Sequence, residues 1–104
     1  MGMGYALFEE VKLAKGHFQN NNFSTYILPT ALDAPEKQET TIVESFEATH
    51  PFGAKGIAEP PNVAICPAIL NAIYDAVGVR IFEIPVTPEK LLTAFEQKVH
   101  SNIT

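Results

Sequence analysis

The stretch from Ala68 to Val77 constrains this chain more than any other, because only Asn71 and Asp75 interrupt an otherwise apolar run. Pro67 before it lacks an amide hydrogen and suits the first turn of a helix, and Gly78 after it suits the left-handed residue that closes one. A helix is therefore predicted over 68–77. Residues 61 to 66 read equally well as a preceding turn or as a kinked extension of it. Asn71 and Asp75 stand four apart and share one narrow strip, so the rest of the circumference is apolar and needs cover on most sides.

Little cover is at hand. A chain of 104 residues buries somewhat over ~60% of its unfolded surface when it folds alone. Apolar residues make up 46% and charged residues 18%, the latter below the ~25% of an average soluble domain. More surface asks for burial than one small domain can hide.

The remaining elements are short. Met1-Gly2-Met3-Gly4 reads as a cut through a glycine-rich loop of something longer, and Tyr5 to Glu10 as one or two helical turns. Val11 and Leu13 alternate with Lys12, Lys15-Gly16 offers a turn and Phe18 resumes the apolar side, which predicts a small hairpin. Asn20-Asn21-Asn22 is loop chemistry, Tyr26 to Leu28 runs extended into Pro29, and Asp33-Ala34-Pro35-Glu36 is a break. From Thr40 to Glu47, Ile42, Glu44 and Phe46 alternate with Thr41, Val43 and Ser45, a β-branched pattern that predicts a strand. Arg80 to Pro85 is a short strand or extended link. Thr87-Pro88-Glu89 has the N-cap, first-position proline and acidic residue of a helix start, and Leu91, Leu92, Phe95 and Val99 make one apolar face beyond it. The order of elements gives an α+β chain with short strands and two C-terminal helices. No internal repeat or low-complexity tract divides residues 1–104.

The formal net charge is −5, and the few Lys and Arg residues are scattered, so there is no basic stripe for a nucleic acid. The single cysteine, Cys66, leaves no disulfide within the chain and fits a reducing compartment, so the cytoplasm is expected. Met1 to Glu10 lacks the basic start and apolar run of a signal peptide. The apolar stretch from Val63 to Val77 is too short and too interrupted to span a bilayer.

Chemistry concentrates in Pro51-Phe52-Gly53-Ala54-Lys55-Gly56-Ile57-Ala58-Glu59-Pro60-Pro61. Gly53 and Gly56 let the backbone approach a ligand or take dihedrals closed to other residues. Glu59 precedes a proline, which pushes it toward extended backbone, and Pro60 before Pro61 is pushed likewise. The carboxylate then stands on a stiff stem just ahead of a helix whose dipole favours its ionised form. From spacing alone, a solvated or capping glutamate explains Glu59 better. Lys55 is more often a solvated loop lysine than a substrate-steering one. Cys66 reads as a small buried apolar residue, and His17, His50 and His100 lie too far apart in sequence to suggest a ligand set.

The segment from Gly53 to Pro61 resembles the glycine-rich glutamate motif near the C-terminus of the large subunit of molybdenum hydroxylases, the xanthine dehydrogenase and aldehyde oxidase family. Gly4-Tyr5-Ala6-Leu7 with Glu9-Glu10 resembles the same family, as do Tyr26 to Pro29 with Asp33 to Glu36, Pro67 to Ala76, and Pro85 to Glu89. The likeness covers nearly the whole chain in order. It implies that residues 1–104 are a C-terminal part of a larger molybdopterin-binding domain. It implies further that a molybdenum pterin carries the hard chemistry, and that Glu59 is the general base in oxidation of a purine, an aldehyde or an N-heterocycle. Glu59 is then expected in a dry pocket, where desolvation raises its pKa. Iron–sulfur clusters and usually FAD are expected on other subunits or regions. Many members have glycine immediately before the glutamate where Ala58 stands here.

On this reading the partners are the remainder of the subunit, the iron–sulfur and FAD subunits and a small-molecule substrate, with no nucleic acid and no membrane. The isolated chain would be inactive and would self-associate. The competing reading is a stand-alone small-ligand or protein-interaction module that retains the fold without catalysis.

Overall fold

Lys15 and Gly16 take positive φ values of 49° and 78°, as a type I′ turn requires, and this turn matches the twist of the strands it joins. It links β1 (Leu13–Ala14) to β2 (His17–Phe18) in the expected antiparallel hairpin, with Leu13 opposite Phe18 and Ala14 opposite His17. The Asn20 side chain closes the hairpin's base by accepting from the Lys12 amide at 2.9 Å and donating to the Glu10 carbonyl at 2.6 Å. Asn20 is therefore a buried clamp, a role that loop chemistry alone did not reveal. The computed structural model describes residues 1 to 101. Besides the hairpin it holds three helices, α1 (Gly2–Leu7), α2 (Pro60–Val77) and α3 (Pro88–Ser101), with short 3-10 turns at Ala31–Asp33 and Pro51–Gly53. This is the expected α+β mixture.

The opening glycines are not loop. Gly2 and Gly4 are buried within α1, and at Gly2 the helix lies against α2 too closely for a side chain. A Cβ on Gly2 would stand 2.7 Å from the Ile65 Cβ, and one on Gly4 would run into the Glu9 carboxylate. Ala6, fully buried, continues this small-residue face, and its carbonyl accepts the Val86 amide at 2.7 Å. That bond fastens the link before α3 onto the end of α1. Val79 and Val86 complete the apolar core.

α2 starts eight residues before the expected Ala68, at Pro60. Pro60 and Pro61 fill the first two helical positions, where missing amide hydrogens cost nothing. Pro67 thus lies inside the helix, where it deprives the Val63 carbonyl of its usual donor. Val63 is exposed, so water can reach that carbonyl. Gly78 closes the helix in the left-handed conformation at φ 67°, donating to the Tyr74 carbonyl at 2.7 Å. α3 begins as its sequence announces, with the Lys90 amide donating to the Thr87 hydroxyl at 3.3 Å. Residues 80 to 85 form an irregular link with no strand.

Two expectations fail for one reason. α2 was expected to be covered on most sides, yet none of its residues is buried; Ile65, Cys66, Ile69, Leu70, Ile73 and Val77 are half-covered on one face, and Ala64, Pro67, Ala68 and Ala72 are open. Residues 40 to 47 form no strand and are largely exposed. Among the described residues, 40 to 47 have no ladder partner and α2 has only α1 against one face, whereas strands need a ladder and apolar helix faces need cover.

The exposed surface is 8866 Å², against about 5,800 Å² for an independently folded protein of this mass. The radius of gyration is 18.5 Å, against about 13 Å for a compact domain of this length. Both excesses fit a piece of a larger domain. Among the described residues, no helix is long and apolar enough to cross a membrane.

Candidate functional site

The loop ahead of α2 is built by its own hydrogen bonds. The Glu47 carboxylate accepts from the Thr49 amide at 3.1 Å and the Thr49 hydroxyl at 2.8 Å. These two bonds hold its pKa below the ordinary carboxylate value. The Glu47 carbonyl accepts the His50 amide at 3.1 Å, and His50 Nδ1 lies 3.0 Å from the Ala54 carbonyl. His50 is extended at φ −107° and ψ 149°, as a residue before proline prefers. Phe52 at φ 58° and Gly53 at φ 69° then reverse the chain in consecutive left-handed conformations. The Gly53 carbonyl accepts the Glu47 amide at 3.2 Å, closing the loop.

Gly53 is doubly constrained, by its positive φ and by the Phe46 ring occupying the space a Cβ would need. At Gly56 nothing lies within 4 Å of a Cβ position, so that backbone is open to approach. Phe52 projects fully into solvent beside it. A cleft of about 470 Å³ opens here, with Ile42, Val43, Phe46, Phe52, Lys55 and Ile57 in its lining. Lys55 Nζ donates to the Ser45 hydroxyl at 3.4 Å across it. Lys55 is exposed but bonded to Ser45, where its sequence context suggested a simply solvated lysine.

Glu59 does not adopt the extended conformation that the following proline favours. It stands at the N-cap of α2 with φ −79° and ψ −35°, and its carbonyl accepts the Asn62 amide at 2.9 Å. The helix needs that acceptor, and this need outweighs a steric preference that disfavours the helical region without closing it. Pro60 is likewise helical. The carboxylate makes no capping bond. The reason lies in the sequence, because Pro60 and Pro61 have no amide hydrogen and that of Asn62 is already engaged. Glu59 is exposed, so the described residues do not by themselves enclose it in a dry pocket. Nor does it line the cleft that contains Lys55.

Cys66 is half-buried between α1 and α2, and its thiol donates to the Gly2 carbonyl at 3.4 Å. That is a packing role, as its sequence context suggested. His17 lies in β2, His50 in the loop and His100 in α3. Among the described residues, no three His, Cys, Asp or Glu side chains gather as a possible metal shell. Two pairings escaped sequence reasoning. The Tyr26 hydroxyl donates to Glu9 at 2.8 Å. Arg80 donates to Asn71 at 2.7 Å while its guanidinium stacks 3.8 Å from the centre of the Tyr74 ring. The polar strip position of Asn71 was the only available hint of the second.

No family model matches the chain. It is 35% identical over 98 residues, 94% of its length, to a probable xanthine dehydrogenase component of Bacillus subtilis. It is 39% identical over 97 residues, 91% of the chain, to a putative xanthine dehydrogenase molybdenum-binding subunit of Escherichia coli K12. An aldehyde oxidoreductase of Megalodesulfovibrio gigas is 36% identical over 98 residues, again 91% of the chain. The chain spans 13% of each of the first two relatives and 10% of the third. Agreement at this level along nearly the whole chain places it, as a segment, in the xanthine dehydrogenase and aldehyde oxidoreductase family of molybdenum-binding subunits.

Proposed function

We propose that this chain is the C-terminal part of the molybdopterin-binding subunit of a molybdenum hydroxylase, and that Glu59 is its general base for oxidation of a purine, an aldehyde or an N-heterocycle. The observation that carries the assignment is the unengaged Glu59 carboxylate. It stands at the head of α2, the helix's first two positions are prolines, and no capping bond holds it. A base must have a free lone pair aimed away from its own scaffold, and this local sequence denies the helix any claim on it.

One feature is compatible with a molybdenum pterin nearby: the Gly56 backbone is open on its side-chain direction, which allows close approach by a bulky group. When bound, the cofactor supplies the redox chemistry of hydroxylation.

The protein's share is then positional. The closed loop from Glu47 to Ala54 fixes where the Gly56 to Glu59 segment begins, and α2 fixes where it ends. Glu59 accepts a proton at a carboxylate oxygen from the hydroxyl that attacks substrate. The rest of the subunit excludes water over it. The partners are the remainder of that subunit, iron–sulfur and FAD-carrying subunits, and the small-molecule substrate. The extended shape and large exposed surface count against a stand-alone module. Replacement of Glu59 by glutamine in the complete enzyme, followed by rapid reduction with substrate, is the test.

A further inference from the structure

We propose that residues 40 to 47 are a β-strand whose partner is a sheet edge supplied by the rest of the same subunit. The inference rests on the chain being part of a larger subunit, and it is independent of the role given to Glu59. Ile42, Glu44 and Phe46 alternate with Thr41, Val43 and Ser45, the composition and period of a strand. Yet among the described residues, 40 to 46 make no backbone hydrogen bond, and backbone groups that remain buried in an assembled protein must be paired. Ile42, Val43 and Phe46 are 83%, 82% and 79% exposed, a density of bare β-forming side chains that asks for cover.

The C-terminal end of the segment is already anchored. The Glu47 amide donates to the Gly53 carbonyl, and the Phe46 ring packs on Gly53. The segment therefore leaves a fixed point in a defined register, as a strand added to a preformed edge must. The partner does not lie within the described residues, whose only ladder joins two-residue strands. Relatives are long enough to hold it, since this chain spans 13% of them. A second copy of this chain is a poor partner. Parallel in-register self-pairing would set Glu39, Glu44 and Glu47 opposite their own copies, and antiparallel pairing centred on Val43 would set Glu39 opposite Glu47, in a protein of net charge −5, and like charges across a ladder destabilise it. The partner strand carries Lys, Arg or neutral side chains opposite Glu44.

Hydrogen exchange read by mass spectrometry on the complete subunit tests this pairing. Peptides covering 40–47 are expected to exchange at least a hundredfold more slowly than the same peptides in the isolated chain. Val43→Pro and Glu44→Pro, made separately in the complete subunit, remove amides that point to opposite sides of the strand. At least one of the two should abolish the protection. Exchange at unstructured rates in the complete subunit, or protection that survives both prolines, overturns the pairing. Protection in the isolated chain that rises with its concentration assigns the partner to a second copy and overturns the choice of occupant. Glu59→Gln should leave this protection unchanged, so failure of the catalytic assignment is read separately.

Discussion

The Tyr26 hydroxyl donates a 2.8 Å hydrogen bond to the Glu9 carboxylate, joining a loop residue to the exit of α1 across 17 positions of sequence. The bond holds the tyrosine in its neutral form. Its pKa is raised above the ordinary 10.0, first by this hydrogen bond, then by desolvation and by the charge of Glu9. A raised pKa means that the stabilisation is complete below the unfolded value and is lost as pH climbs through the folded one. Ultraviolet titration of wild type minus Tyr26→Phe should therefore give a phenol titrating above pH 10.0. A difference curve centred at or below that value would show that the pair is not formed.

Close approach of α1 to α2 depends on Gly2. With the Ile65 Cβ 2.7 Å from where a methyl would go, Gly2→Ala must push the helices apart. Overpacking of this kind costs about 1–3 kcal/mol. In the complete subunit Gly2→Ala should lower the midpoint of thermal unfolding, and adding Ile65→Ala should recover part of the loss. Equal stability of Gly2→Ala and wild type would mean that the two helices do not pack this closely.

Unassembled, the chain exposes the open face of α2 together with Ile42, Val43, Phe46 and Phe52. Exposed apolar surface of that kind drives association. The isolated chain should form concentration-dependent oligomers by light scattering, retain no stoichiometric molybdenum by metal analysis, and oxidise neither xanthine nor simple aldehydes. A clean monomer across a wide concentration range would contradict the surface argument, and bound molybdenum would contradict the view that most of the cofactor site lies elsewhere.

The contrast between legible and illegible parts follows the range of the interactions. Lys15-Gly16, Thr87-Pro88 and Gly78 announced a turn, a helix start and a helix end, because each acts through its own backbone within a few residues. Gly2 and Gly4 misled, since a buried glycine within a helix has the same sequence signature as glycine in a loop. The strand pattern of 40–47 and the apolar girth of α2 describe neighbours that the described residues do not include. At the candidate site, the glycine at position 53 and the proline pair after Glu59 were visible. The helical backbone of Glu59 was not, because it is set by the hydrogen bond that its carbonyl makes to Asn62.

That arrangement makes Glu59 separable from the stability of its own helix. Its carboxylate makes no capping bond, so Glu59→Gln should change thermal unfolding no more than an ordinary surface substitution, within about 0.5 kcal/mol. Catalysis should respond very differently. Removal of a general base costs roughly 100 to 10,000-fold, and on the proposed role, in which the oxygen that Glu59 deprotonates is itself the attacking atom, the loss exceeds that range. Rapid reduction of the oxidised complete enzyme by substrate isolates this half-reaction from later electron transfer. Glu59→Gln should keep its molybdenum and lose that reduction, while Ala58→Gly, which only loosens the approach to the glutamate, should stay within several fold of wild type. Normal molybdenum content with near-normal reduction in Glu59→Gln would remove the carboxylate from the chemistry. The segment would then be left with the closed loop before Gly56 as its only contribution to the site.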